Sequence, residues 1–117
     1  MQYFETIILE EADKFIFTLD SKTQKKVFYN IRIAERTNDP ELFKKLTDEI
    51  WEFRTFYARK QIRVLAFWDK TDKINTLVIA TSGFIKKTQK TPLNEIMKAK
   101  QIMMRHFEEK NIETDKK

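Results

Sequence analysis

Residues 3 to 9 (YFETIIL) crowd aromatic and β-branched side chains together, the composition of a short, half-buried first strand. Glu10 and Glu11 then open a short helix that runs to about Leu19. Asp20 or Ser21 can cap the next helix, in which Val27, Phe28, Ile31 and Ala34 recur at i, i+1, i+4 and i+7 and make one apolar stripe. Asn38, Asp39 and Pro40 end it, because the residue before a proline is steered out of the helical region, and a short helical turn is expected over Glu41 to Leu46. From residue 49 the period changes. EIWEFRTFY (49 to 57), IRVLAFWD (62 to 69) and NTLVIATS (75 to 82) are β-branched and aromatic, and their joints at Ala58 to Gln61 and Lys70 to Lys73 are short enough to favour an antiparallel meander. Thr91 and Pro92 start a last helix, with proline at the first helical position, Glu95 in the first turn, and Ile96, Ala99, Met103 and Phe107 on a core-facing stripe. The predicted order is β-α-α-β-β-β-α. It describes an α+β fold, mainly antiparallel, with the N-terminal helices on one side of the sheet and a C-terminal helix last.

Length and composition narrow the possibilities. A chain of 117 residues with 41% apolar content suits one domain, expected over residues 1 to 110, with 111 to 117 a charged tail that frays. The lack of cysteine removes disulfides, thiol nucleophiles and thiolate metal sites together, and one histidine argues against a zinc site, so no metal and no cofactor is expected. The opening MQYFETIILEEADKF has glutamates straight after a short apolar stretch, unlike a signal peptide, and no run approaches the roughly 20 apolar residues of a membrane span. A cytoplasmic protein without membrane contact is the expectation.

Charge changes the picture more. The net charge of +5 is local: residues 53 to 68 hold Arg54, Arg59, Lys60 and Arg63 and no carboxylate, and residues 74 to 94 hold Lys86, Lys87 and Lys90 and again none. The remainder is slightly acidic. Such a distribution fits a polyanion-binding surface rather than a generally basic protein. Gly83, the only glycine, opens the run GFIKKTQKTP, and a single residue free to adopt positive φ beside a lysine cluster suggests a working loop there. Arg54 and Arg63 fall within strands, where a guanidinium can grip a phosphate bidentately; the plainer alternative pairs each with Glu49 or Glu52. The lysines precede a helix whose amide groups can assist in holding an anion, although a solvated lysine loop would read the same way. Thr88, Gln89 and Thr91 add groups for sugar or base edges. Phe56, Tyr57, Phe67 and Trp68 border the basic strands and are candidates for stacking on bases; Tyr57, at a strand end among cations, is preferred as the exposed one. His106 lies far along the last helix and reads as a surface or partner-facing residue, not an acid–base catalyst.

WEFR (Trp51 to Arg54), the strand containing Arg63, and GFIKKTQKTP followed by EIMKAK resemble the RelE/ParE toxin superfamily in its phage-derived HigB-like branch, over roughly residues 3 to 108. The resemblance implies a type II toxin that cleaves mRNA in the ribosomal A site and is neutralised by a helix-turn-helix antitoxin. It implies attack of a ribose 2′-hydroxyl on the adjacent phosphate without metal, which needs a proton acceptor, charge stabilisation and a proton donor. On this reading Arg63 and Lys87 hold the phosphate, Lys86 or Tyr57 handles a proton, and Arg54, Arg59, Lys60, Gln89 and Lys90 contact the RNA. Similar proteins carry histidine just before the glycine of the lysine motif, where this chain has Ser82. The rivals are a ParE-like inhibitor of DNA gyrase that acts by binding, and an RNA-binding module without catalysis.

Overall fold

The computed structural model describes residues 2–71 and 76–115, with side chains as far as residue 112. Its elements are β1 (Glu5–Ile8), α1 (Glu10–Phe17), α2 (Ser21–Thr37), β2 (Phe43–Lys45), β3 (Trp51–Tyr57), β4 (Lys60–Asp69), β5 (Leu77–Lys86) and α3 (Leu93–Asp115). The strands form one sheet in the order β1-β5-β4-β3-β2, antiparallel except where β1 lies parallel to β5. The predicted order is therefore present with one short strand added. Residues 43 to 45, expected as a helical turn, instead pair with Trp51 to Phe53. Phe43 is the reason: its ring packs 4.4 Å from Phe53 and 5.0 Å from Trp51, and this tertiary contact outweighs local helix preference. The joint at Lys70 to Lys73 and the expected strand start at Asn75 fall partly outside the described residues, as do the last two residues of the tail. α3 itself continues to Asp115.

The sheet has two covered faces. Ala12, Ile16, Val27, Ile31 and Ala34 from α1 and α2 pack on Phe53, Val64, Ala66, Val78 and Ala80. On the other face, Ala99 and Met103 of α3 pack on Leu65, Phe67, Ile79 and Phe84. The helix stripes read from the sequence are the buried ones. Asp20 caps α2 by accepting a 2.7 Å hydrogen bond from the Thr23 amide, and Asn38 ends that helix in the left-handed conformation. Pro92 precedes α3 rather than occupying its first position, and its carbonyl accepts from the amides of Glu95 and Ile96. No helix among the described residues is long and apolar enough to cross a membrane.

β5 carries the feature that arranges the far face. Leu65 pairs with Ser82 but Ala66 pairs with Ala80, so Thr81 is an extra residue, a bulge whose hydroxyl donates to the Leu65 carbonyl at 3.1 Å. Side chains alternate with period two, so one inserted residue inverts everything after it. Before the bulge, Val78 and Ala80 face α1 and α2; beyond it, Ser82, Phe84 and Lys86 share the α3 side with Leu65, Arg63 and Gln61, their partners on β4.

Gly83 does not open a loop. It is a strand residue opposite Val64, its φ is not positive, and a Cβ placed there would stand 2.3 Å from Cδ2 of Phe15. Glycine is required because α1 lays an aromatic ring directly on the strand. Positive φ occurs instead at Asn38 and at Ala58 and Arg59, with φ of 51° and 62°, the two central residues of the β3–β4 turn. Gly83→Ala is expected to cost about 1 to 3 kcal/mol of stability through the clash with Phe15. In urea denaturation, a Phe15→Ala background should make the added methyl nearly neutral; equal cost in both backgrounds would remove Phe15 as the cause.

Candidate nucleic-acid interface

α3 covers only part of its face of the sheet. Where it stops, three adjacent strands present Glu52 and Arg54 (β3), Gln61 and Arg63 (β4) and Lys86 (β5) on the same side. Arg54 pairs directly with Arg63 across the ladder, and Gln61 with Lys86. A cleft of about 440 Å³ opens here, lined by Lys44, Lys45, Leu46, Glu52, Arg54, Lys86, Gln89, Lys90 and Thr91. Its lining holds five cationic side chains and one carboxylate, and that carboxylate, Glu52, is buried. A concave surface with this balance concentrates positive potential on any anion that enters.

Glu52 organises the cationic groups. Its Oε1 lies 3.6 Å from Nε of Arg63 and 3.7 Å from Nε of Arg54, and its Oε2 accepts from the Thr91 hydroxyl at 3.3 Å. The arginine contacts are too long for hydrogen bonds, so both Nε–H groups stay buried and unpaired while the attraction is coulombic. The two arginines differ in access. The side chain of Arg54 is 34% exposed, whereas that of Arg63 is 5% exposed. Arg63 also turns its fork back on its own strand, donating to the Ile62 carbonyl and the Gln61 side chain, each at 3.2 Å. Burial pushes the Arg63 guanidinium below its ordinary value; Glu52 raises it and Arg54 lowers it again.

Not all the residues expected at a site converge. Arg54, Lys86, Gln89 and Lys90 line the cleft, and Arg63 sits buried behind it. Lys87 follows the end of β5 and is exposed. Arg59 and Lys60 occupy the tip of the β3–β4 hairpin. Tyr57 falls on the opposite side of β3, in phase with Thr55, whose hydroxyl accepts from Asn30 of α2. Its neighbour Phe56, 66% exposed, is on the cleft side and lines a groove of about 540 Å³ with Arg54, Gln61 and Arg63. Phe67 is core, and Trp68 packs in a cluster with Phe4, Phe43 and Trp51. Ser82 is buried, its hydroxyl 3.3 Å from that of Thr81.

Lys44 and Lys45 complete the cleft, and the linear charge pattern does not point to them, whereas Phe56, one of the rings that border the basic strands, lines the adjoining groove. The lysines belong to the short β2 and are flanked by Glu41, Asp48 and Glu49, which masks their charge along the chain. His106 is not a surface residue either. Its Nε2 stands 2.8 Å from Oδ2 of the buried Asp69, which Lys110 also meets at 2.6 Å. Burial pushes the Asp69 carboxyl up, but hydrogen bonds from Lys110, Thr71 and His106 outweigh it and hold the group well below the usual carboxylate range. This cluster fastens α3 to the end of β4, away from the cleft.

Residues 14–104 match the family described as phage-derived protein, Gp49-like. Among solved structures, the chain is similar to a mutant of the Escherichia coli toxin RelE in the free state, at 13% identity and a TM-score of 0.50, over 71% of this chain and 82% of that one. At that identity the likeness speaks for the fold. No curated protein matches the chain.

Removing the Glu52 carboxylate would strand a buried guanidinium. Glu52→Ala is expected to lower stability by about 3 kcal/mol, and a second change, Arg63→Met, should restore part of the loss. A double-mutant cycle by chemical denaturation measures the coupling; additive single effects would show that the pair is not coupled.

Proposed function

Because the chain belongs to the Gp49-like family within the RelE/ParE superfamily, we propose that it is the toxin of a type II toxin–antitoxin system, of the HigB-like kind, that cleaves mRNA in the ribosomal A site. The observation that carries this reading is the meeting of Arg54, Lys86 and Lys90 with Lys44 and Lys45 in one cleft on the sheet. The reaction is attack of a ribose 2′-hydroxyl on its own 3′-phosphate. A P–O bond to the 2′-oxygen forms and the bond to the next nucleotide's 5′-oxygen breaks, leaving a 2′,3′-cyclic phosphate and a free 5′-hydroxyl. One proton leaves the 2′-oxygen and one is delivered to the departing 5′-oxygen. The intermediate carries extra negative charge on the phosphate, and fixed cations beside it lower the barrier.

Arg54 is the guanidinium with access to the cleft, so it takes the phosphate-holding role together with Lys86. Arg63 is a positioning residue that acts through Glu52 and Gln61. Lys86, on the strand, also handles a proton, while Lys87 and Lys90 contact the flanking phosphates. Gln89 and Thr91 supply donors and acceptors for sugar or base edges, and Phe56 is the aromatic placed to stack on a base. Tyr57 has no part in the reaction because it lies on the other side of the sheet. The antitoxin acts by denying RNA this cleft.

Primer extension on mRNA in a purified translation system tests the reading. Wild type should cut within the A-site codon, and Arg54→Ala and Lys86→Ala should each reduce the rate at least about tenfold, a loss of roughly 1.4 kcal/mol or more of transition-state stabilisation. Intact mRNA with folded protein would overturn the nuclease reading. DNA gyrase supercoiling would then be the next activity to assay.

A further inference from the structure

α2 carries a second cationic surface that the cleft does not use. Lys22, Lys25, Tyr29, Arg32 and Arg36 follow one another at intervals of three and four, so they form one solvent-facing line opposite the buried Val27, Ile31 and Ala34. By helix rise the line is about 21 Å long. The only acidic residue within α2 is Glu35, which is buried and held by Arg32 at 3.1 Å. Lys26 flanks the line, with its ammonium 5.3 Å from the centre of the Tyr29 ring.

A solvated helix surface ordinarily mixes signs, as α1 does where Glu10 meets Lys14 at 3.2 Å. α2 has no exposed acid to mix. The surface is also convex and rigid, and its only exposed aromatic ring is already covered on one side by Lys26. That combination does not suit single-stranded RNA, which needs a groove and free stacking platforms. It suits a row of phosphates on a helical backbone, which double-stranded RNA presents in fixed geometry.

We propose that the outer face of α2 is a docking surface for the phosphate backbone of double-stranded RNA, separate from the cleft. Such a surface would seat the protein on structured RNA while the cleft addresses a single strand. Duplex binding is a property of the free protein and does not depend on the nuclease reading.

The experiment is fluorescence anisotropy with a labelled RNA duplex of about 16 base pairs, the span of a known duplex-binding module, titrated across potassium chloride concentrations. The proteins compared are wild type, the triple variant Lys22→Gln, Lys25→Gln, Arg36→Gln, and Lys90→Gln in the cleft. Wild type should bind with a strong salt dependence. The triple variant should bind at least tenfold more weakly and flatten the log–log salt slope by about 0.9 for each phosphate it no longer neutralises. Lys90→Gln should bind the duplex as wild type does. A triple variant with native circular dichroism and an unchanged slope would overturn the proposal. So would an equally large weakening in Lys90→Gln, which would put the duplex in the cleft, or binding of polyglutamate in preference to the duplex, which would make the surface one for an acidic protein. The assay contains no ribosome, so its failure would leave A-site cleavage standing, and failure of cleavage would leave duplex binding standing.

Discussion

One extra residue in β5 decides which side chains share the candidate site. Without the bulge at Thr81, strict alternation would carry the phase of Val78 and Ala80 through to Phe84 and Lys86, placing them under α1 and α2. Gly83 and Ile85 would then face α3. The consequences would be steric as well as chemical, because the position opposite Val64 admits only glycine beneath the Phe15 ring. The bulge therefore solves two problems with one insertion. It puts the smallest residue where α1 presses on the strand, and it brings Lys86 to the side of Arg54 and Arg63.

Glu52 makes the resulting concentration of cations tolerable. Arg54 and Arg63 are direct partners across β3 and β4, a like-charge juxtaposition that destabilises a sheet by itself. The buried carboxylate between them offsets that repulsion, and its second oxygen binds Thr91 at the approach to α3. Three elements of the α3 face are thus tied to one side chain. The tie leaves Arg54 accessible and Arg63 inaccessible, so two arginines that look alike in the sequence have different capacities for touching a ligand. At the far end of β4, Asp69 performs a comparable service for α3 through His106 and Lys110.

The parts of this arrangement that rest on local periodicity are legible in the sequence. The apolar stripes of α2 and α3, the three long strands and the tight β3–β4 turn all follow from spacing and side-chain type. The parts that rest on distant contacts are not. Phe43 reads as part of a helical turn until Phe53 and Trp51 are placed beside it. Gly83 suggests a working loop until Phe15 is seen above it, and of the positive φ values only that of Asn38 falls on a residue with a turn signature, the others being at Ala58 and Arg59. Tyr57 reads as the exposed ring of the pair, yet Phe56 is exposed and Tyr57 half-buried, because charge along the chain does not reveal which side of a strand a residue occupies. His106 reads as exposed because its partner lies 37 residues away in sequence. In the candidate site, Arg54, Lys86 and Lys90 are legible from an acid-free run of charge, whereas Lys44, Lys45 and the buried state of Arg63 need the sheet.

Phe56 and Tyr57 are neighbours on opposite sides of β3, and they offer the most direct measurement of whether, and on which side of the sheet, the proposed mRNA substrate lies. Benzoylphenylalanine can replace either ring, and the two proteins can be irradiated on ribosomes carrying a labelled mRNA made uncleavable by 2′-deoxy substitution in the A-site codon. If the cleft holds the mRNA, cross-linking is expected from position 56 and not from position 57. Cross-linking from position 57, with position 56 silent, would put the mRNA on the side of α1 and α2 and contradict that placement.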